Sequence, residues 1–152
     1  YAIPVLAFYP LLIILFGLGE APQIGIAFML GVIAVIVNTL NGLDRVPRVL
    51  LKTARIGRMT PAETALRVTL PFAAPYVLTG VKFAVAYSLI GIIGSEFIMS
   101  SGGMGFEIAF AYVNFDNATM YPLIVVILAV SITINLMVGL WEKRLLARRG
   151  RQ

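Results

Sequence analysis

The sequence predicts an all-α membrane protein, a polytopic bundle of about four apolar helices with one basic, proline-marked segment between the second and the third. Three observations carry this. First, the 152-residue chain is 60% hydrophobic and only 12% charged, outside the habit of soluble domains. Second, the uncharged runs 1–19, 21–43, 68–81, 83–95 and 117–141 include several of membrane-spanning length. A hydrocarbon core about 30 Å thick is crossed by roughly 20 residues of helix. Third, the cations are gathered into two clusters that two spans separate. There is no cysteine and no histidine, so a disulfide framework, a thiolate site and an imidazole metal site are excluded. The chain starts at Tyr1 without the charged start of a signal peptide, and it is expected to be a piece of a longer protein.

The first expected span, residues 4–18, is short, and Pro10 is placed to kink it into a broken crossing. Span two, 24–43, ends at the turn signal Asn41-Gly42. Span three starts near Pro75 and reaches about Ser95, with Lys82 inside it. Span four, 122–141, has proline in its first turn and Trp141 as an interfacial anchor at its far end.

Arg45, Arg48, Lys52, Arg55, Arg58 and Arg67 lie between spans two and three, and Lys143, Arg144, Arg148, Arg149 and Arg151 follow span four. The opposite ends hold Glu20, Glu96, Glu107 and Asp116 and no cation. The positive-inside rule therefore puts the loop 44–71 and the basic tail 142–152 in the cytoplasm. Lys82, about two turns into span three, is expected to snorkel to that same face. The net charge of +5 is thus a topology signal and no argument for nucleic acid.

The loop is more than a linker. Pro47 and Pro61 punctuate two helical pieces, Arg48 to about Ile56 and Pro61 to about Leu70, with a turn around Gly57. The second opens on Thr60-Pro61-Ala62-Glu63, a capping pattern with proline at the first helical position. Two short helices at a turn form a compact basic knob that a soluble partner can grip.

These residues resemble the Glu-Ala-Ala loop of binding-protein-dependent ABC transporter permeases. Thr53-Ala54-Arg55 falls at the Ala-Ala-Arg positions, and Leu70, Pro71, Pro75 and Gly80 fit the closing part of the pattern. At the front the chain departs from it: Lys52 stands in place of the glutamate, Thr53 in place of the first alanine, and Arg58 at the glycine position, with Gly57 one residue early. Residues 4–20, Val37-Asn38-Thr39-Leu40-Asn41-Gly42, Ser95-Glu96-Phe97 and Gly103-Met104-Gly105-Phe106 are similar to segments of the nitrate/sulfonate/taurine-type permeases. The resemblance covers nearly the whole chain.

It implies the C-terminal part of a multi-pass subunit of a bacterial inner-membrane importer. An ATP-binding partner subunit would hold the ATP and Mg, this chain binding no cofactor. A second permease copy would complete the pathway as a homodimer within the lipid bilayer. An extracytoplasmic solute-binding protein would deliver a small solute such as a sulfonate, nitrate or taurine. On this resemblance the contact to the ATPase comprises Lys52, Thr53, Ala54, Arg55, Gly57, Arg58, Met59 and Thr60.

Two further features are legible. Gly80, Ala84, Ser88, Gly91 and Ser95 recur at helical spacing, a stripe of small residues for close helix packing or for a pathway face. Glu96, with Gly103 and Gly105 in the glycine-rich turn beyond it, is a possible gate on the far side, followed by a short interfacial helix over about 106–112. That turn lacks the Gly-Lys-Ser/Thr of a phosphate loop. Asn117-Ala118-Thr119 matches a glycosylation sequon by chance.

Two other functions compete. An ion-coupled secondary transporter needs ionisable groups at mid-membrane, and Lys82 alone qualifies. A membrane-embedded enzyme has only Glu96, Glu107 and Asp116 to work with, and their spacing implies no shared helix face.

Overall fold

The computed structural model describes residues 4–149; Arg151 of the expected basic tail lies outside the described residues. A 3-10 turn, Val5–Phe8, leads into helix α1 (Tyr9–Phe16), followed by α2 (Glu20–Asp44), α3 (Arg48–Ile56) and α4 (Pro61–Thr64). A π-helical segment, Ala65–Thr69, joins α4 to α5 (Leu70–Met99), and α6 (Met104–Val113) and α7 (Asn117–Arg149) complete the chain. Three helical stretches are long and apolar enough to cross a membrane: Glu20–Asp44, Pro61–Ile98 and Asn117–Leu146.

That is one fewer than the four expected spans, the first of which is expected to be short. Among the described residues the first apolar stretch, Val5–Phe16, is shorter than the roughly 20 residues a full crossing takes. Nor does Pro10 break it. Pro10 sits in the first turn of α1, where its missing N–H has no intrahelical partner to lose. The break comes at Gly17 and Gly19, whose φ values of 80° and 149° suit glycine.

Helices α2 and α5 run antiparallel and in intimate contact. Tyr76 lies against Gly42, Ala84 and Ser88 against Gly31, and Leu30, Ile26 and Ala27 against Gly91. At the far end Gln23 donates a 2.9 Å hydrogen bond to Ser100. A small apolar core beside this pair is built on Val5, Tyr9 and Ile26. Helix α7 is antiparallel to α5 in turn, since its late residue Glu142 meets the early Lys82. No residue of its apolar stretch is buried within the chain. The basic residues of the α2–α5 connection therefore gather at one end of the bundle, and Glu20, Glu96, Glu107 and Asp116 at the other.

The loop differs from the expected pair of separate short helices. α3 is separate, but α4, the π segment and α5 form one unbroken helix from Pro61 to Ile98. The π segment explains how a helix passes Pro71: a proline ring clashes with the carbonyl four residues back, here that of Arg67. Widening the turn, with the Leu70 N–H reaching Ala65 O, relieves the clash. Span three thus begins well before Pro75, which lies inside α5. The expected tail is likewise no separate segment, because α7 continues to Arg149.

Candidate functional site

The turn between α3 and α4 has a defined geometry. The Met59 N–H reaches Ala54 O at 3.0 Å and the Arg58 N–H reaches Arg55 O at 3.0 Å, the paired bonds of a Schellman motif. In that motif the residue after the C-cap adopts a left-handed backbone, normally a glycine's task. Here Gly57 is the C-cap with an ordinary φ of −72°, and Arg58 takes the left-handed position with φ 51°. The glycine that stands one residue early in the sequence is therefore not the left-handed residue.

Thr60 then starts α4 with a complete capping box. Its hydroxyl accepts from the Glu63 N–H at 3.2 Å, and the Glu63 carboxylate accepts from the Thr60 N–H at 2.9 Å. Of the anticipated contact residues, Lys52, Thr53, Arg55, Gly57, Arg58 and Thr60 are exposed, Met59 is half-buried, and Ala54 is buried. Thr53 returns its hydroxyl proton to Val49 O at 3.0 Å. Arg48, Lys52 and Arg55 share one face of α3 at helical spacing, and Val49 and Ile56 are exposed beside them. The result is a rigid, basic, partly apolar projection at the end of a long helix.

The small-residue stripe faces α2. A Cβ at Gly80 would stand 3.0 Å from Asn38 Cβ and 3.2 Å from Val35 Cα, so glycine lets the two helices approach this closely without a shift. Ser88 donates to Ala27 O across the interface at 2.9 Å, and Ser95, wholly buried, donates to Ile92 O at 2.8 Å. Leu70 and Pro71 lie upstream, at the exposed start of α5, where the loop joins the span. Beside the α2–α5 seam is a groove of about 680 Å³ lined by Leu30, Asn38, Asn41, Phe83 and Tyr87 among others.

Glu96 proves to be a capping residue. Its carboxylate accepts from the Gly105 N–H at 2.8 Å, at the N-terminus of α6, where free N–H groups and the helix dipole favour a negative charge. Gly103, with φ 108°, lies against that same carboxylate, and a Cβ at Gly105 would collide with Ile93 O at 2.7 Å. The three residues singled out as a gate are thus brought together as the joint between α5 and α6.

Lys82 does not simply snorkel. Its ammonium stands 3.3 Å from Glu142 Oε2, and Glu142 also accepts a 2.6 Å hydrogen bond from the Thr79 hydroxyl. Sequence reasoning missed Glu142, which reads locally as part of an interfacial anchor. The available signal was charge matching, since Lys82 is the one cation inside an apolar run. It also missed Phe115, held left-handed at φ 55° between α6 and α7.

The family model of the binding-protein-dependent transport system inner membrane component matches residues 1–150 of this chain. Over 142 residues the chain is 28% identical to a nitrate import permease protein of Leptolyngbya laminosa, covering 93% of this chain and 51% of that protein. It is 29% identical over 150 residues to a probable ABC transporter permease protein of Brucella melitensis biotype 1, with coverages of 99% and 58%. It is 30% identical over 144 residues to a bicarbonate transport system permease protein of Synechococcus elongatus, with coverages of 94% and 51%. The chain therefore spans about half the length of these relatives.

Proposed function

Because the chain belongs to the family of binding-protein-dependent transport system inner membrane components, we propose that it is the coupling half of a permease subunit in an ATP-driven importer of small solutes. The observation that carries this reading is mechanical. The exposed basic α3 projection connects through a rigid Schellman turn and a capped helix start to one helical rod running from Pro61 to Ile98. A partner that moves α3 moves that rod. The rod is seated on α2 through Gly80 and Gly91, so the displacement passes to the interior of the bundle without slack. Lys52, Thr53, Ala54, Arg55, Gly57, Arg58, Met59 and Thr60 form the projection that docks on an ATP-binding subunit, which holds the ATP and Mg.

The polarity of the chain supports a cytoplasmic loop and C-terminus, with Glu96 and the α5–α6 joint on the far side. Val5–Phe16, joined to α2 on that far side, belongs to a fourth span. A second permease copy completes the solute path, and the groove carrying Asn38, Asn41 and Tyr87 is the part of this chain available to line it. A binding protein delivers the solute, which belongs to the class of small anions and related compounds that the relatives' names include.

The test is co-purification of the full-length permease with the ATP-binding subunit encoded beside it. Retention that is lost when residues 55–60 become a Gly/Ser stretch is the expected result. No association under any nucleotide condition would overturn the reading.

A further inference from the structure

The α6–α7 corner repeats the device of the α3–α4 turn at the opposite end of the molecule. The Asp116 N–H reaches Ala111 O at 2.9 Å and the Phe115 N–H reaches Tyr112 O at 3.2 Å, again the two bonds of a Schellman motif. The left-handed residue is Phe115, with φ 55°. Asn114 precedes it, and Asp116 and Asn117 follow, all three of residue types that tolerate this backbone better than an aromatic does. The phenylalanine nevertheless occupies the strained position.

Among the described residues little packs against that side chain. The Phe115 side chain is 89% exposed, more than any other large apolar side chain among the described residues. Tyr112 at 65% and Val113 at 72% extend the same exposed apolar surface along the last turn of α6. Strain retained with no local packing to explain it marks a side chain used by something else.

Helix lengths carry the corner past the end of α5. At 1.5 Å per residue, about 25 Å of helix separates Lys82 from Met99, whereas about 37 Å separates its ion-pair partner Glu142 from Asn117. The start of α7 therefore overshoots the end of α5 by roughly two turns of helix. Phe115 is also about two turns before Pro122, where the fourth span is expected to begin. Asp116, next to it in the chain, and Glu107, in the first turn of α6, are exposed acids, and this end of the bundle carries no cation among the described residues. The Thr119 hydrogen bonds hold the Asp116 carboxyl below the usual aspartate range, so its charge persists at neutral pH. Such a surface is repelled by anionic headgroups and attracted to a protein face rich in lysine and arginine.

We propose that Phe115 is the docking anchor for the extracytoplasmic binding protein, seated in an apolar pocket of that protein whose basic rim meets Glu107 and Asp116. The inference rests on the importer reading and assigns one of its partners to a specific corner of this chain. Anchors of this kind are exposed aromatic side chains that become fully desolvated on binding, while flanking charges set the approach.

Phe115→Gly separates binding from folding, because glycine accepts the left-handed backbone without strain. The full-length permease and its ATP-binding subunit are reconstituted in nanodiscs and titrated with the binding protein of the same transport system. With the variant, the melting temperature should hold or rise, basal ATPase should stay unchanged, and the Kd for the binding protein should rise about tenfold or more. Glu107→Gln with Asp116→Asn should slow association and flatten its salt dependence. Unchanged binding-protein affinity in Phe115→Gly would overturn the proposal while leaving the importer reading intact. If the same variant instead lost thermal stability only in nanodiscs, Phe115 would be a lipid anchor. A wild-type complex whose ATPase ignores the binding protein would remove the importer reading and the docking assignment together.

Discussion

The Lys82 ammonium stands 3.3 Å from the Glu142 carboxylate, and this ion pair ties α5 to α7 at the basic end of the bundle. Thr79, one turn before Lys82, donates to the same carboxylate at 2.6 Å. The lysine is 36% exposed and the glutamate 12%, so the pair lies between the surface and buried limits. Removing one partner by Lys82→Ala or Glu142→Ala is expected to cost about 1–3 kcal/mol. The double variant should cost less than the sum of the single ones. Thermal unfolding of the three variants in detergent checks this; strict additivity would show that the pair contributes no coupling.

Gly80→Ala is expected to destabilise by about 1–3 kcal/mol, because the new methyl meets the α2 backbone at Val35 and cannot be accommodated by a side-chain rotation. Gly102→Ala provides the contrast, since a Cβ there meets nothing within 4 Å. Melting temperatures that fall for the first and hold for the second would confirm that the stripe is a helix contact. Equal tolerance at both sites would remove that account.

The α3–α4 turn makes an inverted prediction about its two neighbouring residues. Gly57→Ala should be tolerated, because Gly57 has φ −72° and its Cβ would make only ordinary contacts, at 3.5 and 3.6 Å. Arg58→Gly should stabilise the turn by about 1 kcal/mol through relief of the left-handed strain. It should also lower ATPase association, because the guanidinium is lost. Melting curves measured alongside co-purification separate the two effects. A less stable Arg58→Gly variant would contradict the assigned backbone.

Asp116 caps the start of α7, accepting from the Thr119 N–H at 3.2 Å, and its hydrogen bonds to Thr119 depress its pKa. A depressed folded-state value means that the ionised form favours the fold. The contribution is complete above the unfolded value, about 3.9, and is lost as the pH falls through the lower folded value. Amide hydrogen exchange in the first turn of α7 should therefore show protection relative to unfolded-chain rates that holds at pH 6 and drops below about pH 4. In Asp116→Asn that pH dependence should flatten while the cap itself persists.

Much of this architecture was legible before any fold was seen. The apolar runs announced α2, α5 and α7, Thr60 and Glu63 announced the capped start of α4, and the segregation of arginine from glutamate announced which ends lie together. These are local signals: hydropathy, capping and charge each act over one or two turns of chain, so a short window contains them. The Gly80 to Ser95 stripe was equally visible as a pattern, though its partner helix was not.

The tertiary structure decided the rest, because the remaining questions concern residues far apart in the chain. Whether Lys82 snorkels or pairs depends on where Glu142 arrives, and Glu96 becomes a cap only once α6 folds back onto α5. The continuity of Pro61 through Ile98 required a π-helical turn to clear the Pro71 ring, a solution that proline spacing alone does not reveal. The left-handed positions went to Arg58 and Phe115 and passed over the glycine and asparagine beside them. Which residue ends a helix left-handed depends on the hydrogen bonds that close the turn, and no short window of sequence contains those.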